Sequence, residues 1–311
     1  MKINENDFKI KNNIIHYYEV VNNKPNLLII HAQGTSSMSY KNVINKLSKR
    51  YHLYLIDCYG HGKSSKNKNI YNLKSIGDDV IAFIKQVIKG NVIVLGHSSG
   101  GLIASYIASK CELCTYLILE DAPLFSSDGE ERFNTYNYKD LSTVCHNFIN
   151  QDKETDFVYY YFVNQYCWNL FPEDSREKLK EKLSKFAKDY RRKHPNKNLK
   201  VPFWPKTSLE IFNGLNDYDP YFGETFYNNS FNNVNYEELL SNIKCSTLFM
   251  KANTEINNDG FIQGALTEED LEKVKKLIKN IKVEYYDCGH SIHTEKTKEF
   301  LNSLTKITNN N

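Results

Sequence analysis

Short apolar runs alternate with amphipathic segments along most of the chain. The runs have the length of strands and are rich in aliphatic and aromatic residues. There are seven of them: IIHYYEVV, NLLIIHA, HLYLIDC, NVIVLGH, TYLILED, STLFMKA and KVEYYDC. Because helical patterns lie between several of these runs, the alternation predicts a mostly parallel, buried sheet flanked by helices. The fold class is therefore α/β.

Three segments show the helical spacing clearly. Between Gly77 and Lys89 the apolar residues recur at intervals of three and four positions. The segments TEEDLEKVKKLIKN and TEKTKEFLNSLTKI, near the end of the sequence, have the same pattern. We expect these helices to cover the faces of the sheet.

The alternation stops between LILEDAP and STLFMKA. Residues 123–243 instead contain the aromatic stretch DFVYYYFVNQYCWNLF and an amphipathic basic helix, PEDSREKLKEKLSKFAKDYRRKH. We interpret them as a helical cap inserted into a core domain of residues 1–122 and 244–311. The aromatic residues of this cap are candidates for an apolar substrate pocket or for the cap's own core. They are Tyr159, Tyr160, Tyr161, Phe162, Trp168, Phe171, Phe203 and Trp204.

Charge and cysteine content narrow the class of protein. The chain has 40 Lys and Arg against 37 Asp and Glu, a net charge of +3, which is too small to indicate a nucleic-acid or membrane partner. We therefore expect a small-molecule substrate and a monomer or homodimer.

Seven cysteines without a regular framework, and an N-terminal segment without an apolar signal, favour the cytoplasm. The single CxxC, Cys111 and Cys114, has no second ligand pair, so we expect no metal and no cofactor.

The strongest chemical signal is the segment GHSSGG, which contains a G-x-S-x-G motif centred on Ser98. A strand pattern precedes it and a helical pattern follows, which is the context of a nucleophile elbow. Gly96 and Gly100 are required because the turn is too tight for larger side chains. Ser98 is therefore the candidate nucleophile.

A serine hydroxyl needs a general base, and in this arrangement the base is a histidine that follows the last strand. Of nine histidines, His290 and His293 follow the final apolar run. His290 comes directly after Gly289, at the strand end, so we favour it as the base. We interpret His293 as a supporting or structural residue, and we expect His31 and His97 to brace the loops of the site.

These motifs resemble those of the α/β-hydrolase superfamily, in the branch that carries a cap domain. The matching segments are LLIIHAQGTSS, DCYGHGKSS, GHSSGG and CGHSIHTEK, in that order. One departure is Ala32, where the family has a glycine after the histidine. The resemblance implies an oxyanion hole made by the main-chain N–H groups of Gln33 and Ser99, and a structural role for Asp57.

The acid of the triad stays open, because the superfamily carries it after either of two strands. Asp121 follows TYLILED, and Glu255 lies shortly after STLFMKA. We favour Asp121, with Glu255 as its rival and with Asp259 and Glu120 as further candidates. Each of these residues lies between the serine and the histidine, as the chain order requires.

A serine at position 98 excludes the reactions that need an aspartate nucleophile and indicates acyl transfer. The resemblance implies a carboxylic ester hydrolase that acts on an ester or lactone of a small, hydrophobic molecule through an acyl-serine. Two alternatives remain: a serine acyltransferase or peroxidase-like member of the superfamily, and a catalytically silent binding protein.

Overall fold

The computed structural model describes residues 2–204 and 211–309 of the chain. The predicted cap, 123–243, includes positions 205–210, which lie outside the described residues.

Eight strands of the described chain form one sheet in the order β1-β2-β4-β3-β5-β6-β7-β10. The pairs β1–β2 and β2–β4 are antiparallel, and the other neighbours are parallel. A separate antiparallel pair, β8 and β9, follows β7. The strand bounds are β1 Asn4–Ile10, β2 Asn13–Val20, β3 Asn26–Ile30, β4 His52–Ile56, β5 Val92–His97, β6 Cys114–Glu120, β7 Ser246–Lys251, β8 Glu255–Ile256, β9 Ile262–Gln263 and β10 Ile281–Tyr285.

All seven predicted runs contain a strand of the main sheet, which confirms the predicted fold class. The eighth strand, β1, was not predicted because its sequence, NENDFKI, has only two apolar residues. It is an edge strand whose side chains alternate between half-buried and exposed positions, so it lacks the apolar signal of a buried strand.

Helices cover both faces of the sheet and fill the long connection between β6 and β7. Among the described residues, no helix combines the length and the apolar character needed to cross a membrane. The helix bounds are α1 Lys41–Leu47, α2 Leu73–Phe83, α3 Ser99–Lys110, α4 Thr143–Ile149, α5 Phe157–Asn164, α6 Glu173–Lys193, α7 Pro220–Tyr227, α8 Tyr236–Ser241, α9 Glu268–Leu277, α10 Ile292–Glu295 and α11 Thr297–Asn309.

The core lies on both sides of the sheet because successive side chains of a strand point to opposite faces. In β3, Leu28 and Ile30 belong to the cluster that packs against α2 and α3. Leu27 and Ile29 belong to the opposite cluster, which contains side chains of α1 and α11. The central strands are therefore buried on both faces and deliver their carboxyl ends to one edge of the sheet.

The connection between β6 and β7 carries α4 to α8. Helix α4 packs against α7, whereas α8 packs against α3 of the sheet domain. An aromatic cluster stabilises the middle of this connection: the ring of Trp204 lies 5.1 Å from that of Phe162, 4.7 Å from that of Trp168 and 5.4 Å from that of Phe171. Trp204 is only 5% exposed.

Candidate active site

Ser98 lies in a sharp turn between β5 and α3. Its backbone has φ 55° and ψ −123°, a conformation that non-glycine residues rarely adopt and that costs about 1–3 kcal/mol. Its N–H donates to the carbonyl oxygen of Glu120 at 2.9 Å, and its own carbonyl accepts from the N–H of Gly101 at 2.7 Å. The turn is thus tied to the end of β6 on one side and to α3 on the other.

The glycines around Ser98 let main-chain segments approach very closely. A Cβ atom on Gly96 would lie 2.2 Å from the carbonyl oxygen of Gly100. A Cβ atom on Gly100 would lie 2.4 Å from the carbonyl oxygen of Ile30. Both distances are far below van der Waals contact, so the tight turn expected from the G-x-S-x-G motif is present.

His290 contacts a buried carboxylate from the end of β6. Its Nδ1 lies 2.7 Å from Oδ2 of Asp121. The other oxygen of Asp121 accepts from the N–H of Ala252 at 3.2 Å, and the N–H of Asp121 donates to Met250 at 2.9 Å. Asp121 has φ 45°, so a second strained residue aims this side chain at the imidazole.

The other three candidate acids do not reach His290 in the described structure. Glu255 is exposed on β8, and Asp259 is exposed in the turn that follows. Glu120 is fully buried, and its carboxylate is bonded to Tyr40 and His293 instead. Asp121 therefore has the geometry that the triad acid requires.

Two main-chain N–H groups are available near Ser98. Ser99 begins α3, and the first N–H of a helix has no acceptor within the helix. In the part of the chain that the structure describes, the N–H of Gln33 makes no hydrogen bond, whereas that of Gly34 donates to Nε2 of His61 at 3.0 Å. Gln33 and Ser99, the predicted pair of donors, line the same cavity as Ser98.

Buried histidines brace the loop that carries Gln33. His31 donates from Nδ1 to Ala32 at 2.8 Å and accepts from the N–H of Cys58 at 3.0 Å. His61 donates from Nδ1 to Tyr59 at 3.0 Å. Burial lowers the pKa of both imidazoles, so they are neutral. The role of His61 was not predicted, although it lies in the motif DCYGHGKSS.

Asp57, in the same motif, joins two loops. One oxygen accepts from the N–H of Ser37 at 2.9 Å and the other from the N–H of Lys63 at 3.0 Å. Its carboxylate is thus engaged with main chain, as expected for a structural residue.

Ser98 and His290 line a cavity of about 790 Å³. No direct hydrogen bond joins them among the described residues, and such bonds often tighten only when substrate is bound. Of the eight aromatic residues that were predicted as pocket candidates, Tyr161 and Phe171 line this cavity. Trp204 is not among the described lining residues, because it packs into the aromatic cluster, and Phe203 is fully exposed. Other residues of the connection complete the wall, including Tyr136, Tyr138, Leu141, Leu170, Ile211 and Phe226.

Asp140 is a polar group of the wall whose pKa is altered. Asp140 is buried, and burial raises the pKa of its carboxyl to about 6 in spite of hydrogen bonds from the Tyr161 hydroxyl and the Tyr166 N–H. Arg132 also lines the cavity, and its guanidinium donates to the main chain at Tyr227.

Within the described ranges, one group has a donor set that suits a metal ion. His97, Glu120 and His293 are buried, and their ligand atoms lie within 4.8 Å of one another. The sequence did not indicate this group, because its members come from three distant segments. Both oxygens of Glu120 and one ring nitrogen of each histidine take part in hydrogen bonds.

Comparison with known proteins places the chain in a family. Residues 25–297 match the family model of the alpha/beta hydrolase fold. The chain belongs to this family. The fold of the α/β-hydrolase also resembles the crystal structure of a hydrolase from Pseudomonas aeruginosa PA01, with a TM-score of 0.67, 16% identity and 97% coverage of each chain.

Curated relatives of this α/β-hydrolase match over shorter segments. A magnesium-chelatase 30 kDa subunit from Rhodobacter capsulatus is 36% identical over 27% of the chain and 30% of its own length. The pimeloyl-[acyl-carrier protein] methyl ester esterase of Proteus mirabilis is 31% identical over 31% of the chain and 35% of its own length. The chain thus matches about a third of the length of these relatives.

The close packing at the turn leads to a testable prediction for Gly100→Ala. Its Cβ would collide with two main-chain oxygens, of Ile30 and His31, at 2.4 and 2.6 Å. We expect thermal denaturation to show a loss of about 1–3 kcal/mol in stability, typical of overpacking. Displacement of Ser98 should also lower any hydrolysis that depends on this serine by roughly a hundredfold.

Gly90→Ala is the matched control, because the nearest atoms to its Cβ lie at 3.8 and 4.0 Å. It should leave both quantities unchanged. Equal effects of the two substitutions would contradict the role assigned to the close approach.

Proposed function

We propose that this α/β-hydrolase is a serine hydrolase that cleaves a carboxylic ester or lactone of a small, hydrophobic molecule through an acyl-serine intermediate. The observation that carries the proposal is the contact between His290 and the buried Asp121, at the rim of the cavity into which the strained Ser98 turn opens. A serine, an imidazole and a carboxylate in these positions are the components of acyl transfer.

The reaction follows from the atoms that face the cavity. Nε2 of His290 takes the proton of the Ser98 hydroxyl while its oxygen attacks the substrate carbonyl. The oxyanion that forms accepts hydrogen bonds from the N–H groups of Gln33 and Ser99. His290 then gives its proton to the leaving alcohol, and a water molecule activated by the same imidazole releases the acid from Ser98.

Asp121 stabilises this cycle in two ways. Its hydrogen bond to Nδ1 keeps the proton on that nitrogen, which leaves Nε2 free to act as the base. Its charge also stabilises the imidazolium that forms during each proton transfer. Because Asp121 is fully buried, water does not compete for its carboxylate.

The cavity supports a substrate of moderate size with an apolar part. Its volume of about 790 Å³ lies within the range of small-molecule sites. Residues 123–243, which we propose to act as the cap, supply Tyr136, Tyr161 and Phe171 to its wall. One relative, the Proteus mirabilis protein, is named as a methyl ester esterase, which also favours ester hydrolysis.

The first test of this function removes the nucleophile and the base. Ser98→Ala and His290→Ala should each lower kcat for p-nitrophenyl esters by roughly 10⁴–10⁶, and the double variant should be little worse than either single variant. The reason is that neither group acts without the other. Losses that multiply, or an active Ser98→Ala variant with unchanged circular dichroism, would contradict the mechanism.

The second test separates the candidate acids. Asp121→Asn keeps the shape of the side chain but removes the charge beside His290, so we expect kcat to fall by roughly 10³–10⁴. Glu255→Gln is the matched control, because Glu255 lines the cavity without bonding to His290. We expect it to change kcat by less than about tenfold. The reverse order would transfer the role of acid to Glu255.

A further inference from the structure

Glu120, the residue before Asp121, forms the centre of a second buried network. Its Oε2 accepts from the Tyr40 hydroxyl at 2.7 Å. Its Oε1 accepts from both the N–H and the Nδ1 of His293, each at 2.8 Å. The rings of Tyr40 and His293 also stack, with centroids 4.1 Å apart. Three donors therefore converge on one carboxylate that has no access to water.

These donors keep Glu120 ionised. Burial by itself raises the pKa of the carboxyl, but the imidazoles of His293 and His97 and the hydrogen bonds from His293 outweigh it and lower the pKa to about 2. An ionised carboxylate is only an acceptor, so Nδ1 of His293 is the donor in their contact. Glu120 thus fixes the orientation of the His293 ring as well as its main chain.

His97 completes the network from the end of β5. Its Nε2 donates to the carbonyl oxygen of His290 at 2.9 Å, and its ring lies 4.7 Å from the ring of His290. Burial lowers the pKa of His97 to about 3, so the ring is neutral at pH 7, and the proton on Nε2 is the one required by a carbonyl acceptor. His97, the residue beside Ser98, therefore holds the main chain of His290 in place.

We propose that Glu120, His293 and His97 form a positioning unit that fixes the main chain of residues 290–293, and with it the distance between the His290 ring and Ser98. This inference rests on the proposed function, because it assigns these residues a part in the same reaction. None of the three is proposed to exchange a proton with substrate.

The placement of the two carboxylates supports this assignment. Adjacent residues at a strand end point to opposite sides, so Asp121 reaches the side chain of His290 while Glu120 reaches His293, three residues further on. Both ends of the segment 290–293 are thus attached to the end of β6. Displacement of a catalytic group by about 1 Å can cost a hundredfold in rate, so this attachment has a direct effect on turnover.

The same three side chains offer a His-Glu-His donor set, which makes metal binding the competing interpretation. Both oxygens of Glu120, Nδ1 of His293 and Nε2 of His97 are already engaged in hydrogen bonds. A metal ion bound through Glu120 would compete with its hydrogen bonds from Tyr40 or His293. We therefore favour a metal-free network, and the experiment includes the metal content as an outcome.

The decisive variant is Glu120→Gln. It is nearly isosteric, but its amide places N–H groups where three donors converge, so Tyr40 or His293 loses its acceptor. We expect kcat for a p-nitrophenyl ester to fall by roughly 10–100-fold while KM changes by less than about twofold, since the cavity wall is untouched. A loss confined to KM would overturn the proposal.

Asp79→Asn is the matched control. Asp79 is also a buried carboxylate that accepts from a tyrosine hydroxyl, that of Tyr59 at 3.0 Å, and from Lys11 at 2.9 Å. It is outside the catalytic machinery, so Asp79→Asn should lower the melting temperature without lowering kcat. If Glu120→Gln and Asp79→Asn have the same kcat, Glu120 contributes only to stability and the proposal fails.

A pair of variants at His97 tests the unit even if Glu120→Gln does not fold. His97→Gln keeps a side-chain N–H within reach of the His290 carbonyl, whereas His97→Leu removes it. We expect kcat of His97→Gln to exceed that of His97→Leu by about tenfold or more. Equal values would contradict positioning through this hydrogen bond.

Two further outcomes would refute different proposals. Stoichiometric zinc in the purified protein, lost in Glu120→Gln, would replace the positioning unit by a metal site. An active Ser98→Ala variant would refute the proposed function itself, whereas a normal kcat in Glu120→Gln would refute only this inference.

Discussion

The left-handed backbone of Ser98 is the constraint on which the rest of the site depends. It places the side chain at the carboxyl end of β5, and it is stabilised by close packing of Gly96 and Gly100 against main chain. The N–H of Ser98 is bonded to Glu120, so the same contact that holds the turn also fixes the end of β6. The next residue, Asp121, can then reach His290. The strained backbone of Ser98 thus helps to set the relative positions of the β5 turn, the end of β6 and the segment of His290, which are distant in sequence.

The loop of Gln33 and the connection between β6 and β7 form the remainder of the site. Neutral, buried His31 and His61 hold the loop of Gln33, which lines the cavity together with Ser99. The connection between β6 and β7 supplies the apolar wall on the other side. Its own stability comes from a separate aromatic cluster that includes Trp168 and Trp204. The residues proposed for catalysis and the apolar wall are therefore carried by different parts of the chain.

Much of this could be predicted from the sequence because the signals are local. Buried strands such as TYLILED are continuous apolar runs, and a G-x-S-x-G motif between a strand and a helix specifies its own turn. The edge strand β1 was missed because half of its side chains face solvent. The acid stayed open because Asp121 and Glu255 both follow strands, and only the fold reveals which of them approaches His290.

Other features depend on contacts between distant segments and have no local signal. Trp204 and Tyr161 have similar apolar character in the sequence, yet the first packs inside the aromatic cluster and the second lines the cavity. The network of Glu120, His293 and His97 likewise joins β6, α10 and β5. Nothing in the spacing of these residues indicates that they meet.

Treatment with a fluorophosphonate, followed by peptide mapping by mass spectrometry, tests most directly whether the serine in the strained turn is activated. Such reagents react with serines whose hydroxyl is activated by a neighbouring base. We expect a single adduct, located on the peptide that contains Ser98 and absent after heat denaturation. An unmodified protein, or an adduct on another residue, would contradict it.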